Sequence, residues 1–296
     1  MKACAVAAIV VAGTLVTGSS QAVERPSWPL TRQIVIHYVA HDGVVRVADV
    51  LLPRYYDEER DGSLPLVIAP HGRGIGARAN ARLWGDLPGQ DRFAVINPEG
   101  QGRRLALYSW GDPGQIADLA RMPDVLEDAL PWVRIDPRRI YAVGGSMGGQ
   151  ETLLLVARDP GLLAGAVSFD APTNLSRRYR DFARLRHGPR LRFLARYEVG
   201  GTPWSLPGVW SVRSPLDFAR RIAHSGVPLE LWWSTSDRVV ADQEAQSGRL
   251  YRKLKELDPA APVVAVVGRW RHCHELRWNT GLPGALRFLG LDSLTD

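Results

Sequence analysis

Hydrophobic and polar residues alternate from Thr31 to Val39, with Ile34, Ile36 and Tyr38 on one side of an extended chain and Gln33, Val35, His37 and Val39 on the other. A period of two predicts a strand. Asp42-Gly43 supplies a turn, and Val44 to Leu52 predicts an antiparallel partner ended by Pro53. The pattern then changes. Leu64 to Pro70 is a nearly continuous apolar run, as a central strand buried on both faces requires. Further strands are predicted at Phe93–Asn97, Arg139–Val143, Leu163–Phe169, Pro228–Trp233 and Pro262–Val267. Helices are predicted from Pro123 through Leu130, over Met147–Ala157 and near Leu282–Leu289. Parallel strands joined by helical crossovers are the economical account of this alternation, so the fold class is α/β.

Composition narrows the class. With 45% hydrophobic and 23% charged residues in 296, the chain buries enough apolar surface to offset its ordering entropy. One large domain accommodates this length. Neither a repeat nor a low-complexity linker is present, and two cysteines do not make a disulfide scaffold. The interval from Asn174 to about Gly226 is too long for a loop and has its own helical pattern in Phe182, Leu185, Phe218 and Ile222. It reads as an inserted cap.

The N-terminus reads as a targeting segment: Met1-Lys2, an uncharged stretch from Ala3 to Gly18, then Ser20-Gln21-Ala22 as a small-x-small cleavage site. Residues 1–22 are therefore expected to be a signal peptide, with a secreted or periplasmic chain from 23 to 296. The apolar stretch is shorter than the ~20 residues that span a bilayer, so no stable membrane span is expected. Cleavage would remove Cys4 and leave Cys273 as the sole cysteine. The net charge of +6 is mild but concentrated, because eight arginines and one acid, Asp181, lie between Ser176 and Arg196. This stretch reads first as a solvated cap surface and second as an attractor of anionic substrates. Nucleic acid is not expected as a partner, because no binding motif accompanies the arginines.

The chemistry centres on Val143-Gly144-Gly145-Ser146-Met147-Gly148-Gly149. A predicted strand ends there and an apolar helix begins at once. Glycines at 144 and 148 permit a tight turn that leaves the Ser146 hydroxyl exposed, and the helix N-terminus favours negative charge beside it. His71-Gly72-Arg73-Gly74 follows the buried strand. A backbone amide near Gly72 or Arg73 is expected to join that of Met147 as an oxyanion hole, with His71 supporting the loop. Gly72 to Ala77 also fits a dinucleotide fingerprint, but two predicted strands precede it where the motif normally follows the first. A nucleophilic serine needs a base, and the base needs an acid. His272 and His274 follow the last predicted strand, with His272 preferred. Asp237 follows the strand before it, and Asp170 is the rival acid. His272-Cys273-His274 alone has too few converging ligands for a metal site. Six tryptophans in the later half, Trp204, Trp210, Trp232, Trp233, Trp270 and Trp278, suggest an aromatic pocket wall, although Trp232 and Trp233 must face opposite sides of their strand.

From Thr31 to Leu291 the chain resembles the α/β-hydrolases, especially the secreted esterase and prolyl-oligopeptidase-like branch. Gly144 to Gly149 resembles that branch's nucleophile elbow, His71-Gly72 its oxyanion loop and Ser236-Asp237-Arg238-Val239-Val240 its acid turn. Gly268-Arg269-Trp270-Arg271-His272 departs from the usual Gly-His. The resemblance implies a mostly parallel sheet with an antiparallel N-terminal part, helices on both faces, and triad order Ser146, Asp237, His272. It also implies hydrolysis of a small or polymeric ester without metal or organic cofactor. Peptide hydrolysis by the same residues, or a binding protein that keeps the fold without the chemistry, are the alternatives.

Overall fold

A computed structural model describes residues 29–277 and 281–292; the expected signal peptide and Trp278 lie outside them. Eight strands form one sheet: β1 (Thr31–Val39), β2 (Val45–Pro53), β3 (Leu64–Ile68), β4 (Ala94–Pro98), β5 (Ile135–Gly145), β6 (Gly165–Phe169), β7 (Leu229–Ser234) and β8 (Val263–Gly268). Their order is β1-β2-β4-β3-β5-β6-β7-β8. The β1/β2 hairpin runs in register from Thr31 opposite Pro53 to Val39 opposite Val45, and β2 pairs with β4 antiparallel. All other pairs are parallel. Gly43, at φ 79, takes the left-handed conformation that the hairpin turn needs.

Alternation along the central strands sends side chains to two separate cores. Leu64, Leu66 and Ile68 of β3, Ile140 and Ala142 of β5, and Leu229, Leu231 and Trp233 of β7 face one layer. It is covered by helices Pro113–Ala120, Met122–Ala129, Met147–Arg158, Ala219–Ala223 and Ser247–Leu257. On the opposite face Val67, Tyr141, Val143 and Trp232 meet Ala81, Trp84 and the helix Leu282–Phe288. Trp232 and Trp233 thus face opposite sides, as their adjacency requires. Each fully buried Leu, Ile or Val here contributes about 1.5–3 kcal/mol by leaving water.

A strand boundary and several helices differ from the sequence expectation. Strand β5 begins at Ile135 rather than Arg139, because a register shift between Leu64 and Leu66 lets Ile135 pair before the main ladder starts. The helix Ser247–Leu257, between β7 and β8, was not anticipated. The interval 174–226 divides in two. Helices Leu175–Asp181 and Gly188–Val199 bury Leu175, Tyr179, Phe182, Ala195 and Val199 in their own cluster with Trp110, Met147 and Trp210, above the ends of the strands. Ala219–Ala223 instead belongs to the layer on the sheet. The cap is fastened by Glu198, fully buried, which accepts from the amides of Arg103, Arg104 and Leu105 at 2.6, 2.8 and 2.9 Å. Among the described residues no helix is long and apolar enough to cross a membrane.

Candidate active site

From the adjacent strands β3 and β5 the chain proceeds in opposite directions across the sheet, to β4 and to β6. A crevice opens at such a switch point beyond the carboxyl ends of the strands. Ser146 stands there, between β5 and the helix Met147–Arg158, at φ 58 and ψ −120. A non-glycine residue in this conformation costs about 1–3 kcal/mol. The surrounding contacts enforce it. The Ser146 amide donates to the carbonyl of Phe169 at 2.8 Å, and the Ser146 carbonyl accepts from Gln150 at 3.0 Å, opening the helix. A Cβ on Gly144 would lie 2.5 Å from the Gly148 carbonyl carbon, and one on Gly148 would lie 2.1 Å from the Pro70 carbonyl oxygen. The two glycines flanking Ser146 are therefore steric requirements of the turn.

Asp237 and His272 are brought together from the loops after β7 and β8, with His272 Nδ1 2.7 Å from Asp237 Oδ2. The carboxylate is fixed by three further donors: the amides of Val239 and Val240 at 2.7 and 3.0 Å and the Gln243 side chain at 3.1 Å. Burial pushes the Asp237 pKa up, but His272 and these donors outweigh it and hold it below the ordinary value. Burial likewise opposes charging of His272, while the Cys273 sulfur and Asp237 favour it, and the net result is a raised pKa. Among the described residues Nε2 makes its hydrogen-bond contact with Cys273 Sγ, at 3.7 Å, and not with Ser146.

Asp170 is placed one strand away and does not touch the imidazole. Its Oδ1 accepts from the Ser234 amide at 2.8 Å, and its Oδ2 accepts from the Cys273 amide at 2.7 Å and Trp270 Nε1 at 3.1 Å. His274 is displaced from the centre: its side chain is 42% exposed and lies on an outer cleft. Asp170, His272 and Cys273 present donor atoms within 4.8 Å of one another, the only such trio among the described residues. The Asp170 carboxylate is already engaged by peptide and indole N–H groups, so the trio offers a metal only an imidazole nitrogen and a thiol unencumbered.

The loop after β3 completes the site. His71 is buried; its Nε2 accepts from the Gly100 amide at 2.8 Å, which puts the ring proton on Nδ1, 2.8 Å from the Gly72 carbonyl. Burial lowers its pKa, so the ring is a neutral strut. The Gly72 carbonyl also accepts from Ile75 at 3.1 Å. Across a trans peptide the Arg73 N–H points opposite to that carbonyl. Neither this amide nor that of Met147 finds an acceptor among the described residues. Gly72, Arg73, Gly145, Ser146, His272 and Cys273 line one cavity of about 130 Å³. An adjoining recess of about 20 Å³ shares Arg73, Ser146 and Val239 with it, and adds Trp110, Met147 and Arg178. Of the tryptophans singled out from sequence, Trp270 lines only the outer cleft, whereas Trp110, which was not among them, lines the recess beside Ser146.

No family model matches the chain. Over 109 residues, 34% of this chain and 26% of the relative, it is 30% identical to poly(3-hydroxyalkanoate) depolymerase C of Paucimonas lemoignei, so the match spans about a quarter of that protein. The solved structure of a puromycin-hydrolyzing peptidase from Mycobacterium tuberculosis superposes with a TM-score of 0.68 at 22% identity, over 91% of this chain and 40% of that one. The chain has the α/β-hydrolase fold. An esterase of Pyrococcus furiosus agrees, with a TM-score of 0.62 at 18% identity over 88% and 90% of the two chains. So does a Rhizomucor miehei esterase, at 0.67 and 14% over 88% and 84%. Within this fold the antiparallel β1/β2 hairpin lies at one edge of the sheet and the cap lies over the strand ends that carry Ser146.

Sequence reasoning did not single out Gln243 or Arg178. Gln243 carries no motif signal. Arg178 was one of eight in the arginine-rich stretch, and only its spacing from Leu175, Tyr179 and Phe182 on one helix distinguished it from the solvated members.

Proposed function

We propose that the protein is a serine hydrolase that cleaves carboxylic esters by acyl transfer. One observation carries the reading: Ser146 is held in a strained strand-to-helix turn on the wall of a cavity that His272, bonded through Nδ1 to Asp237, also lines. Ser146 Oγ attacks the ester carbonyl, forming an Oγ–C bond while its proton passes to His272 Nε2. Collapse breaks the bond to the alcohol, which leaves with that proton. Water adds to the acyl-enzyme, giving its proton to Nε2, and the acid departs as Ser146 regains it. Catalytic hydrogen bonds are commonly long in a free enzyme and close up with substrate, which is when Nε2 exchanges Cys273 for the serine. Amides of Met147 and Arg73 hold the developing oxyanion; loss of one such donor typically costs about 2.7–4 kcal/mol. Because the base must be neutral and the His272 pKa is raised, activity should climb with pH above 6.5.

The partial likeness to a polyhydroxyalkanoate depolymerase is a reason to include polyesters among the substrates tested. A fluorophosphonate probe tests the chemistry: labelling is expected for the parent protein and absent in Ser146→Ala. No labelling of either would leave a binding protein on this fold. A panel of p-nitrophenyl esters and aminoacyl amides separates esterase from peptidase. Export is also proposed, from residues 1–22 alone; the N-terminal sequence of the secreted product should begin near Val23.

A further inference from the structure

The side chains on one wall of the Ser146 cavity are not used by the chemistry above. That wall is formed by Arg73, from the loop after β3, and Arg178, from the cap helix Leu175–Asp181. Arg178 is only 4% exposed. Its Nη1 is buried without a hydrogen-bond partner, and its guanidinium rests over the Phe182 ring at 4.6 Å. The other buried arginines behave differently. Arg213 is paired with Asp112 and lies 3.6 Å from Glu198, while Arg46 is paired with Asp42 and lies 3.8 Å from Asp118. Arg178 has no carboxylate within ion-pair distance among the described residues, and neither does Arg73. Burial, reinforced by the neighbouring Arg73 charge, holds the Arg178 pKa down to about 10, with Asp237 and Asp181 opposing from farther away.

Two cations, one deeply buried and neither paired, are costly to keep beside each other. Their cost is offset when a ligand brings the counter-charge. A guanidinium presents a planar fork that matches a carboxylate, and the recess of about 20 Å³ leaves room for only a small group.

We propose that Arg73 and Arg178 form a carboxylate subsite, so that the ester cleaved at Ser146 carries a second, ionised carboxyl group. Monoesters of short dicarboxylic acids and carboxylate-ended oligoesters of hydroxy acids share this chemistry. The proposal rests on the serine-hydrolase reading and specifies its substrate.

The test is steady-state kinetics on matched pairs: p-nitrophenyl hemisuccinate and hemiglutarate against their methyl-capped diesters, and the 3-hydroxybutyrate dimer against its methyl ester. The parent enzyme should favour the charged member of at least one pair by tenfold or more in kcat/KM, mainly through KM. Whichever pair shows the preference identifies the source of the carboxylate. Raising the salt should erode that preference. In Arg178→Met the ratio should fall towards one, and Arg178→Lys should restore part of it. Equal use of both members by the parent, or an unchanged ratio in Arg178→Met, overturns the subsite while leaving the hydrolase reading intact. Thermal shift with glutarate on Ser146→Ala separates the two ideas further. A saturable rise in Tm, absent in Ser146→Ala/Arg178→Met, supports the subsite even if no ester is turned over; no rise counts against it. Should Arg178→Met fail to fold, Arg73→Met and Arg178→Lys carry the same comparison.

Discussion

Two buried aspartates stand at the ends of neighbouring parallel strands, Asp170 after β6 and Asp237 after β7, and they do different work. Asp237 faces an imidazole and a side-chain amide as well as two backbone N–H groups. Asp170, at φ 47, receives only neutral N–H donors, from Ser234, Trp270 and Cys273. Burial raises the pKa of both, yet only Asp237 ends below its ordinary value, because only Asp237 is hydrogen-bonded to the imidazole, whose charge reaches Asp170 from farther away. Asp237 grips the His272 ring; Asp170 grips the backbone one residue later. Position on the sheet therefore makes either aspartate a candidate acid, and the bond to His272 is the reason for proposing Asp237.

The largest expected effect comes from Asp237→Asn. It should lower kcat by roughly 10⁴-fold, since the histidine loses the group that fixes its tautomer. Urea unfolding should change much less, because the remaining side-chain oxygen still accepts from Val239 and Val240. A near-normal Asp237→Asn beside an inactive Asp170→Asn would exchange their roles. Next, Asp170→Asn should act mainly on stability, by about 1–3 kcal/mol, because an amide nitrogen would be turned towards an N–H donor in the interior. Its turnover should stay within roughly tenfold of the parent.

Stability as a function of pH should separate the two carboxylates by sign. Asp237 has a folded pKa below its unfolded value of 3.8, so it contributes stability above that value, lost as pH falls through the folded pKa. Asp170 has a folded pKa above 3.8, so its contribution is complete below 3.8 and is lost as pH rises through the folded pKa. Urea midpoints measured between about pH 3 and 7 should show Asp237→Asn flattening the acid-side loss and Asp170→Asn flattening the opposing trend. The smallest effect belongs to His274→Gln. With its side chain 42% exposed on the outer cleft, the change should stay within about 0.5 kcal/mol in stability and leave kcat near the parent's. An inactive His274→Gln would move the base from His272.

Local pattern made much of the sheet legible. Each strand of the sheet was anticipated, since alternation and apolar runs are properties of a few adjacent residues. The elbow was legible for a similar reason: Gly144 and Gly148 are needed within two residues of Ser146, and the clashes that a Cβ would meet at these positions are the physical content of that spacing. The helix Ser247–Leu257 was missed although Leu250 and Leu254 are buried at helical spacing. Its N-cap, Gln246, makes no side-chain capping bond, so the start signal was missing. The helix Pro113–Ala120 did carry a signal, Asp112 accepting from the Gly114 amide before Pro113, but is only two turns long.

Charge was the least legible quantity. The stretch from Arg177 to Arg196 reads as one basic surface, yet Arg180, Arg184, Arg186, Arg190 and Arg196 are exposed while Arg178 is buried beside the cavity. Period and turn chemistry are short-range and reside in the sequence, so the order of strands and helices and the turn at Ser146 could be read there. Which aspartate meets His272 and which arginine is stripped of water depend on residues far apart in sequence. Those contacts exist only once the strands have paired and the cap has packed over their ends, so tertiary structure alone decided them.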